Sequence, residues 1–249
     1  MTRAIVELAR RRRETRDLIL SCVQCPLRDN ARPYPVPFHG PFHPAFIVLG
    51  DAPDQTDHRR RTPFSGPQGR MLRRLLAEAS LRVDDALLVT AVCCNPWGTP
   101  DRDHLDACRP HLEAQLGLAP AGTPVLAVGQ VALSALAPDA RLRGLHGSVL
   151  VIDGRPVMPI HHPAYLLRDP TARPAVREAL RRFASLLQGL GPEWFRAEVC
   201  SLCAEAAVAW DHRQMPFCRR HEGEIRRNET RAARRRIAQN RAAQQRLEL

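Results

Sequence analysis

Hydrophobic residues occur along this chain in short runs that alternate with amphipathic stretches. Apolar runs predict buried strands over residues 45–50, 86–92, 124–129, 148–152 and 156–160. Apolar residues spaced three and four apart predict helices over residues 3–20, 68–80, 105–116, 131–137 and 173–188. Because strands and helices alternate, we predict a fold of the α/β class: a three-layer α/β/α sandwich around a mainly parallel sheet.

The pattern changes after a glycine- and proline-containing stretch at residues 189–192, so we predict one domain over 1–190 and a second, small module over 191–249. The second module has four candidate metal ligands in two close pairs, Cys200, Cys203, Cys218 and His221. This spacing is typical of a closed tetrahedral zinc site, and the alternative is that these are stray cysteines in a disordered tail. Residues 219–249 add ten arginines against four glutamates, which predicts a basic tail.

Polar motifs follow three of the predicted strands. Gly50-Asp51-Ala52-Pro53 comes after the first, the segment 93–96 after the second, and His161-His162 after the last. Ligands of open α/β sheets bind outside the carboxyl ends of the strands, so we expect these motifs to share one site. The segment 63–69 adds Phe64 and two glycines before a helix, a composition suited to a planar base or a phosphate.

Charge adds a candidate partner. The 249 residues have a net charge of +11, and all 37 basic residues are arginine. A GC-rich genome explains arginine in place of lysine, but it does not explain the net excess. The arginine side chain binds phosphate through a planar fork of donors, so the surplus is compatible with a polyanionic partner such as DNA.

The cysteines and the apolar content indicate compartment and cofactor. No stretch approaches the roughly 20 apolar residues that cross a bilayer, and residues 1–20 are too rich in arginine for a signal peptide, so we expect a soluble, cytoplasmic protein without membrane contact.

In a reducing compartment the eight cysteines are better explained as metal ligands than as disulfides. Cys22 and Cys25 form a close pair, and Cys94 and Cys108 follow Cys25 by 69 and 83 residues. Four sulfur ligands suit either iron–sulfur or zinc.

Together these motifs resemble the uracil-DNA glycosylase superfamily, in particular its iron–sulfur group, family 4. The resemblance covers about residues 21–187, in the order Cys22-x2-Cys25, the Asp51 loop, Pro63-Phe64-Ser65-Gly66-x2-Gly69, the segment from Cys94 to Cys108-Arg109-Pro110, and His162-Pro163-Ala164-Tyr165-Leu166-Leu167-Arg168. It implies base excision in DNA repair and a structural 4Fe-4S cluster on Cys22, Cys25, Cys94 and Cys108. Cys93 is the alternative third ligand, but Cys94-Asn95-Pro96 fits the family's Cys-x-Pro better.

The same resemblance implies roles for individual side chains. Asp51 stabilises the sugar cation or orients water, and His162 donates a hydrogen bond to the departing base. Phe64 stacks on the flipped base, while Tyr165 and Leu166 fill the space that it leaves. Further substrate contacts are implied for Gly50, Ala52, Pro53, Gly66, Gly69 and Arg168.

Three departures from the family pattern leave the substrate base open. The family generally has Glu at the position of Asp51, Gly at that of Asp54 and Asn at that of Ala91. That Asn would read the polar edge of uracil. We therefore expect a monomeric enzyme that excises uracil or a related pyrimidine. The alternatives are an enzyme for an unusual base of a modified genome, and a protein that only binds DNA. For the C-terminal module, a protein partner is the alternative to DNA.

Overall fold

A mainly parallel sheet organises the first of the two units into which the chain divides, Met1–Trp194 and Phe195–Leu249. The computed structural model describes residues 3–25, 27, 35–189, 209–210 and 216–217. The sheet of the first unit contains β1 (Phe46–Gly50), β2 (Ala86–Thr90), β3 (Val125–Val128), β4 (Leu150–Ile152) and β5 (Arg155–Ile160). Its order is β2-β1-β3-β5-β4, with parallel pairs except between β4 and β5.

Eight helices occur in the described part of this unit. They are α1 (Arg3–Leu20), α2 (Gln55–Arg60), α3 (Pro67–Glu78), α4 (Arg102–Leu116), α5 (Gln130–Leu136), α6 (Leu142–Leu145), α7 (Pro163–Arg168) and α8 (Arg173–Gly189). Short 3-10 turns cover Val83–Asp85 and Pro170–Ala172. No helix within the described ranges has the length and apolar character needed to span a membrane.

The core lies on both faces of the sheet. On one face, strand residues such as Phe46 and Leu88 pack in one apolar cluster with residues of α3 and α8, among them Leu72 and Phe183. Alternate strand residues such as Ile47 and Leu87 are equally buried, and α4 and α5 contact the strands. Burial of both faces explains why the strands are apolar throughout rather than alternating with polar residues.

The predicted α/β class and the mainly parallel sheet are confirmed. Helix α4 begins three residues before its predicted start because Asp101 caps it, accepting a hydrogen bond from the backbone N–H of His104 at 3.0 Å. The sequence did not predict α2, α6 or α7, which are four to six residues long. The antiparallel pair β4–β5 is joined by Asp153 and Gly154, both at positive φ, as a type I′ turn requires.

The predicted C-terminal zinc ligands lie outside the described residues. Of that unit the structure describes two short strands, Ala209–Trp210 and Pro216–Phe217, which pair antiparallel. The domain boundary after residue 190 and the metal-binding module therefore stay predictions.

Truncation of Phe183 tests the core. Its ring is fully buried and meets the ring of Phe46 edge to face, with centroids 5.6 Å apart. We expect Phe183→Ala to lower the free energy of unfolding by about 3–5 kcal/mol, because it removes a large buried side chain and leaves a cavity. Val6→Ala, at a residue that is 51% exposed, is the control and should change it by no more than about 0.5 kcal/mol. Chemical denaturation followed by circular dichroism measures both, and similar losses in the two variants would contradict this core.

Candidate active site

Asp51 lies at the carboxyl ends of the neighbouring strands β1 and β3. From β1 the chain goes to β2 on one side, and it then returns to β3 on the other side. Asp51 directly follows β1, which has β2 on one side and β3 on the other. Its Oδ1 atom accepts a hydrogen bond from the backbone N–H of Ala132, in the first turn of α5, at 2.8 Å. Gly129 has φ +112°, and a Cβ atom there would lie 2.6 Å from Oδ1 of Asp51. The glycine after β3 therefore makes room for the carboxylate after β1.

Burial sets the charge state of Asp51. Desolvation raises the pKa of Asp51 to about 6, against the opposing effect of the hydrogen bond from the Ala132 N–H. The carboxylate is therefore mostly ionised at neutral pH but carries its charge at an energetic cost. Such a group stabilises a neighbouring positive charge more strongly than a fully solvated carboxylate does.

The Phe64 ring forms part of the site's floor. Its tip lies against Gly50, where an added Cβ atom would come within 2.5 Å of the ring. The backbone of Phe64 is left-handed, with φ 56°, and the residue is only 7% exposed. Most of the ring therefore belongs to the core, and its tip is the part that faces the end of β1.

Two aspartates that the sequence analysis did not assign to the site hold this loop in place. Asp54 caps α2, accepting from the backbone N–H groups of Thr56 and Asp57. Asp57 is buried, and its Oδ1 atom accepts from the N–H of Ser65 at 2.6 Å, from the Ser65 hydroxyl at 2.9 Å and from the N–H of Gly66 at 3.2 Å. The Asp-x-x-Asp spacing is a helix-capping signal that could have revealed the first aspartate, but it does not reveal the loop contacts of the second.

The remaining predicted contacts of this region lie around the same loop. Gly66 caps α3 without a side chain, and Gly69 lies in the first turn of that helix. Pro53 is buried, whereas Ala52 is half-buried and packs against an apolar group that contains cysteines. These four residues shape the backbone around Asp51.

His162 is a neutral donor at the carboxyl end of β5. Its Nδ1 atom accepts a hydrogen bond from the backbone N–H of Ala164 at 3.2 Å and so caps α7. Burial, with a smaller contribution from the positive charge of Arg168, lowers the pKa of His162 to about 4. A neutral imidazole that accepts at Nδ1 has its proton on Nε2. His162 can therefore donate one hydrogen bond from Nε2 without carrying charge.

Helix α7 divides its side chains between core and solvent. Leu166 is completely buried in the main apolar cluster, which leaves it no exposed surface for the predicted role of filling the space that a flipped base leaves. Leu167 is 58% exposed and Tyr165 is 36% exposed, and these two are the large hydrophobic side chains that α7 presents to solvent. Tyr165 stacks on His161, with ring centroids 4.7 Å apart, and its hydroxyl donates to Asp169. Arg168 is exposed at the last position of the helix.

Ala91 follows β2 and contacts the site through its backbone, because its side chain is a methyl group. Its backbone N–H donates to the Gly50 carbonyl at 2.8 Å, and the N–H of Val92 donates to the Asp51 carbonyl at 3.2 Å. The Ala91 methyl group is buried. The backbone is thus fixed beside Asp51, but this position cannot read a base through side-chain hydrogen bonds.

Comparison with known proteins identifies the family. The sequence pattern of the uracil DNA glycosylase superfamily matches residues 37–184. This chain belongs to the uracil DNA glycosylase superfamily. The matched range contains Asp51, Phe64 and His162, and it ends within α8.

Named relatives of this superfamily member are type-4 uracil-DNA glycosylases. The protein from Pyrobaculum aerophilum is 28% identical over 182 residues, which cover 67% of this chain and 90% of the relative. That from Thermotoga maritima is 29% identical over 156 residues, covering 61% and 80%. A third, from Sulfurisphaera tokodaii, is 25% identical over 185 residues, covering 68% and 81%.

Cysteines of this glycosylase-superfamily chain converge beside the site. Cys94 and Cys108 are buried together in a small apolar cluster, and Cys25 packs against it. Within the described residues, no three His, Cys, Asp or Glu side chains form a ready metal-binding group. Cys93 lies next to Cys108: its thiol donates to the Cys108 sulfur and lowers the pKa of Cys108 to about 7. The buried Gln115 amide donates in turn to the Cys93 sulfur at 3.6 Å.

The buried carboxylate makes a prediction about stability and pH. Because the folded-state pKa of Asp51 is raised to about 6, the folded state is relatively favoured below pH 4 and loses that advantage as the pH rises through 6. Ionisation costs at most about 3 kcal/mol. Asp51→Asn cannot ionise, so we expect it to melt at a higher temperature than the parent at pH 7.5 and at nearly the same temperature at pH 4. Scanning calorimetry at both pH values measures this, and an equal difference at both would contradict the pKa assignment.

Proposed function

We propose that this chain is a DNA glycosylase that hydrolyses the N-glycosidic bond of uracil, or of a related base, in DNA. The observation that carries the proposal is that an ionised, half-buried Asp51 and a neutral donor, His162, both follow the carboxyl ends of strands of one sheet. The names of the relatives support it, because they are uracil-DNA glycosylases.

The two side chains suit the two charges that develop in this reaction. As the bond between the sugar C1′ and the base nitrogen breaks, its electron pair leaves with the base and the sugar becomes a cation. The Asp51 carboxylate stabilises the cation and accepts a proton from the water that attacks C1′. The Nε2–H group of His162 donates to the base oxygen on which negative charge accumulates. The base leaves as an anion and takes up a proton from solvent, Asp51 releases the proton that it accepted, and the products are the free base and an abasic sugar.

Substrate binding requires the base to leave its stack and the phosphates to meet positive charge. The loop of Phe64, held by Asp57, lies beside Asp51 and forms one wall for the base. Arg59 and Arg60 are exposed at the end of α2, and the ion pairs found among the described residues include neither. These two arginines are our candidates for phosphate contacts.

Ala91 favours a second candidate substrate. With a buried methyl group where the family generally has Asn, the site lacks one side-chain partner for the polar edge of uracil. A pocket without the Asn amide discriminates less between bases that differ in the hydrogen-bonding groups of their polar edge. Labelled oligonucleotides with uracil opposite G, uracil opposite A, single-stranded uracil, hypoxanthine and xanthine, followed by alkali, distinguish a uracil enzyme from one for another base. Binding without cleavage of any of them would favour a DNA-binding protein.

The cofactor part of the proposal is a 4Fe-4S cluster on Cys22, Cys25, Cys94 and Cys108. Supporting it are the burial of Cys94 and Cys108 in one apolar group, the packing of Cys25 against them, and the preference of sulfur ligands for iron–sulfur centres. When bound, the cluster supplies a cross-link between α1, the loop after β2 and α4. A structural zinc on Cys200, Cys203, Cys218 and His221 rests on their spacing alone.

Substitution of the two reacting side chains tests the mechanism. We expect Asp51→Asn and His162→Ala each to lower the single-turnover rate on uracil-containing DNA by about 10²-fold or more, because each removes a preorganised charge or donor. The rate of the parent should rise as the pH increases through about 6, because Asp51 then ionises. His162 stays neutral in this range, so it adds no second transition above pH 5.

Matched controls are an aspartate and a histidine elsewhere on the domain. Asp153 is exposed in the β4–β5 turn, and His43 is exposed before β1. Asp153→Asn and His43→Ala should cleave at the parental rate. Parental rates in Asp51→Asn and His162→Ala would show that the assigned roles are wrong.

Metal analysis tests the two proposed metal sites independently of activity. Anaerobically purified protein should be brown and contain about four irons per chain, and Cys108→Ala should lose both colour and iron. Cys203→Ala should keep the iron and lose one zinc. Cys93→Ala serves as the matched cysteine control and should keep both metals. Colourless protein with zinc on the first four cysteines would overturn the iron–sulfur assignment.

A further inference from the structure

Trp97 presents an unusual apolar surface close to the site. It is 58% exposed, and it is the one tryptophan whose side chain lies within the described residues. Its backbone is left-handed, with φ 55°, and its N–H donates to Oδ1 of Asn95 at 2.8 Å. A left-handed backbone is uncommon for a bulky residue, and such outliers cluster at ligand sites, so the exposed indole is a candidate for contact with a ligand.

The loop that carries Trp97 is fixed relative to Asp51. At its start, the N–H of Val92 donates to the Asp51 carbonyl. Near its end, the N–H of Asn95 donates to Nε2 of the buried His58 in α2 at 2.7 Å. Trp97 is therefore two residues from an anchored position, on the β2 side of the carboxylate.

Helix α7 provides exposed side chains on the opposite side. Strand β2 and strand β5, which precedes α7, lie at opposite ends of the order β2-β1-β3-β5. Three strand spacings separate them by about 14 Å, which is the rise of about four stacked nucleotides. Asp51, after β1, lies between these two sides, so a short length of one DNA strand can reach both.

We propose that Trp97 stacks on an unpaired base of the substrate strand, beside the nucleotide whose glycosidic bond is cleaved at Asp51. A base rather than a phosphate is the ligand because the face of an indole stacks on a planar ring but offers no positive charge to a phosphate. The start of α4, close by in sequence, carries Asp101 and Asp103 against one arginine, Arg102. The base must be unpaired, since the faces of a paired base are covered by its neighbours in the duplex. The inference rests on the proposed function, and it assigns single-stranded or locally opened DNA as the preferred substrate.

Binding measurements in the Asp51→Asn background test the proposal without cleavage. The probe is a fluorescent single-stranded oligonucleotide with one central uracil. We expect Trp97→Ala and Trp97→Gln to raise the Kd about 10-fold, and Trp97→Phe to retain most of the affinity. Phe42→Ala is the control. Phe42 is 43% exposed, but it precedes β1 and therefore lies toward the amino ends of the strands, away from Asp51. It should leave the Kd unchanged.

An abasic scan locates the stacked base. A single abasic nucleotide is moved along the oligonucleotide, which removes one base at a time and keeps the backbone. One position near the uracil should weaken binding to the Asp51→Asn protein, and that effect should vanish when Trp97→Ala is added. A Trp97→Ala loss that is the same at every abasic position, or no loss at all, overturns the inference. Cleavage by the parent is assayed separately, so a failed stacking test leaves the glycosylase proposal standing, and the reverse also holds.

Discussion

The hydrogen bond between the Asp51 carboxylate and the Ala132 N–H connects the segments that follow the neighbouring strands β1 and β3. The chain runs outward from this pair, to β2 on one side and to β5 on the other. The hydrogen bond links the end of β1 to the first turn of α5. The carboxylate occupies the space that the absent side chain of Gly129 leaves, and the Phe64 ring occupies the space beside Gly50. Three loops therefore meet at one acidic group, and each depends on the others for its position.

One physical effect, burial, determines the charge state of both Asp51 and His162. Removing an ionisable group from water disfavours its charged form, which raises the pKa of an acid and lowers that of a base. Asp51 is shifted to about 6 and His162 to about 4. Both values lie below neutral pH, so the acid is ionised and the imidazole is neutral. The shallow crevice thus produces a charge and an uncharged donor from two side chains without needing a specific ion pair for either.

Long apolar strands and the position of the site could be predicted from the sequence because both follow from local pattern. Strands β1, β2 and β3 are almost wholly apolar, and polar motifs follow β1, β2 and β5. Helices α2 and α7 span less than two turns, which is too short for a periodicity to be visible. The fate of Leu166 and Leu167 was not predictable either, because adjacent helical residues point about 100° apart and only the packing decides which one is buried.

The segment from Ala91 to Trp97 is seven residues long and touches three different parts of the protein. It borders the buried cysteines, it is bonded to Asp51 and His58, and it ends in an exposed indole. If Cys94 binds the proposed cluster, then metal binding also fixes the backbone that holds Trp97. The proposed DNA-binding surface would then form only when the metal is bound.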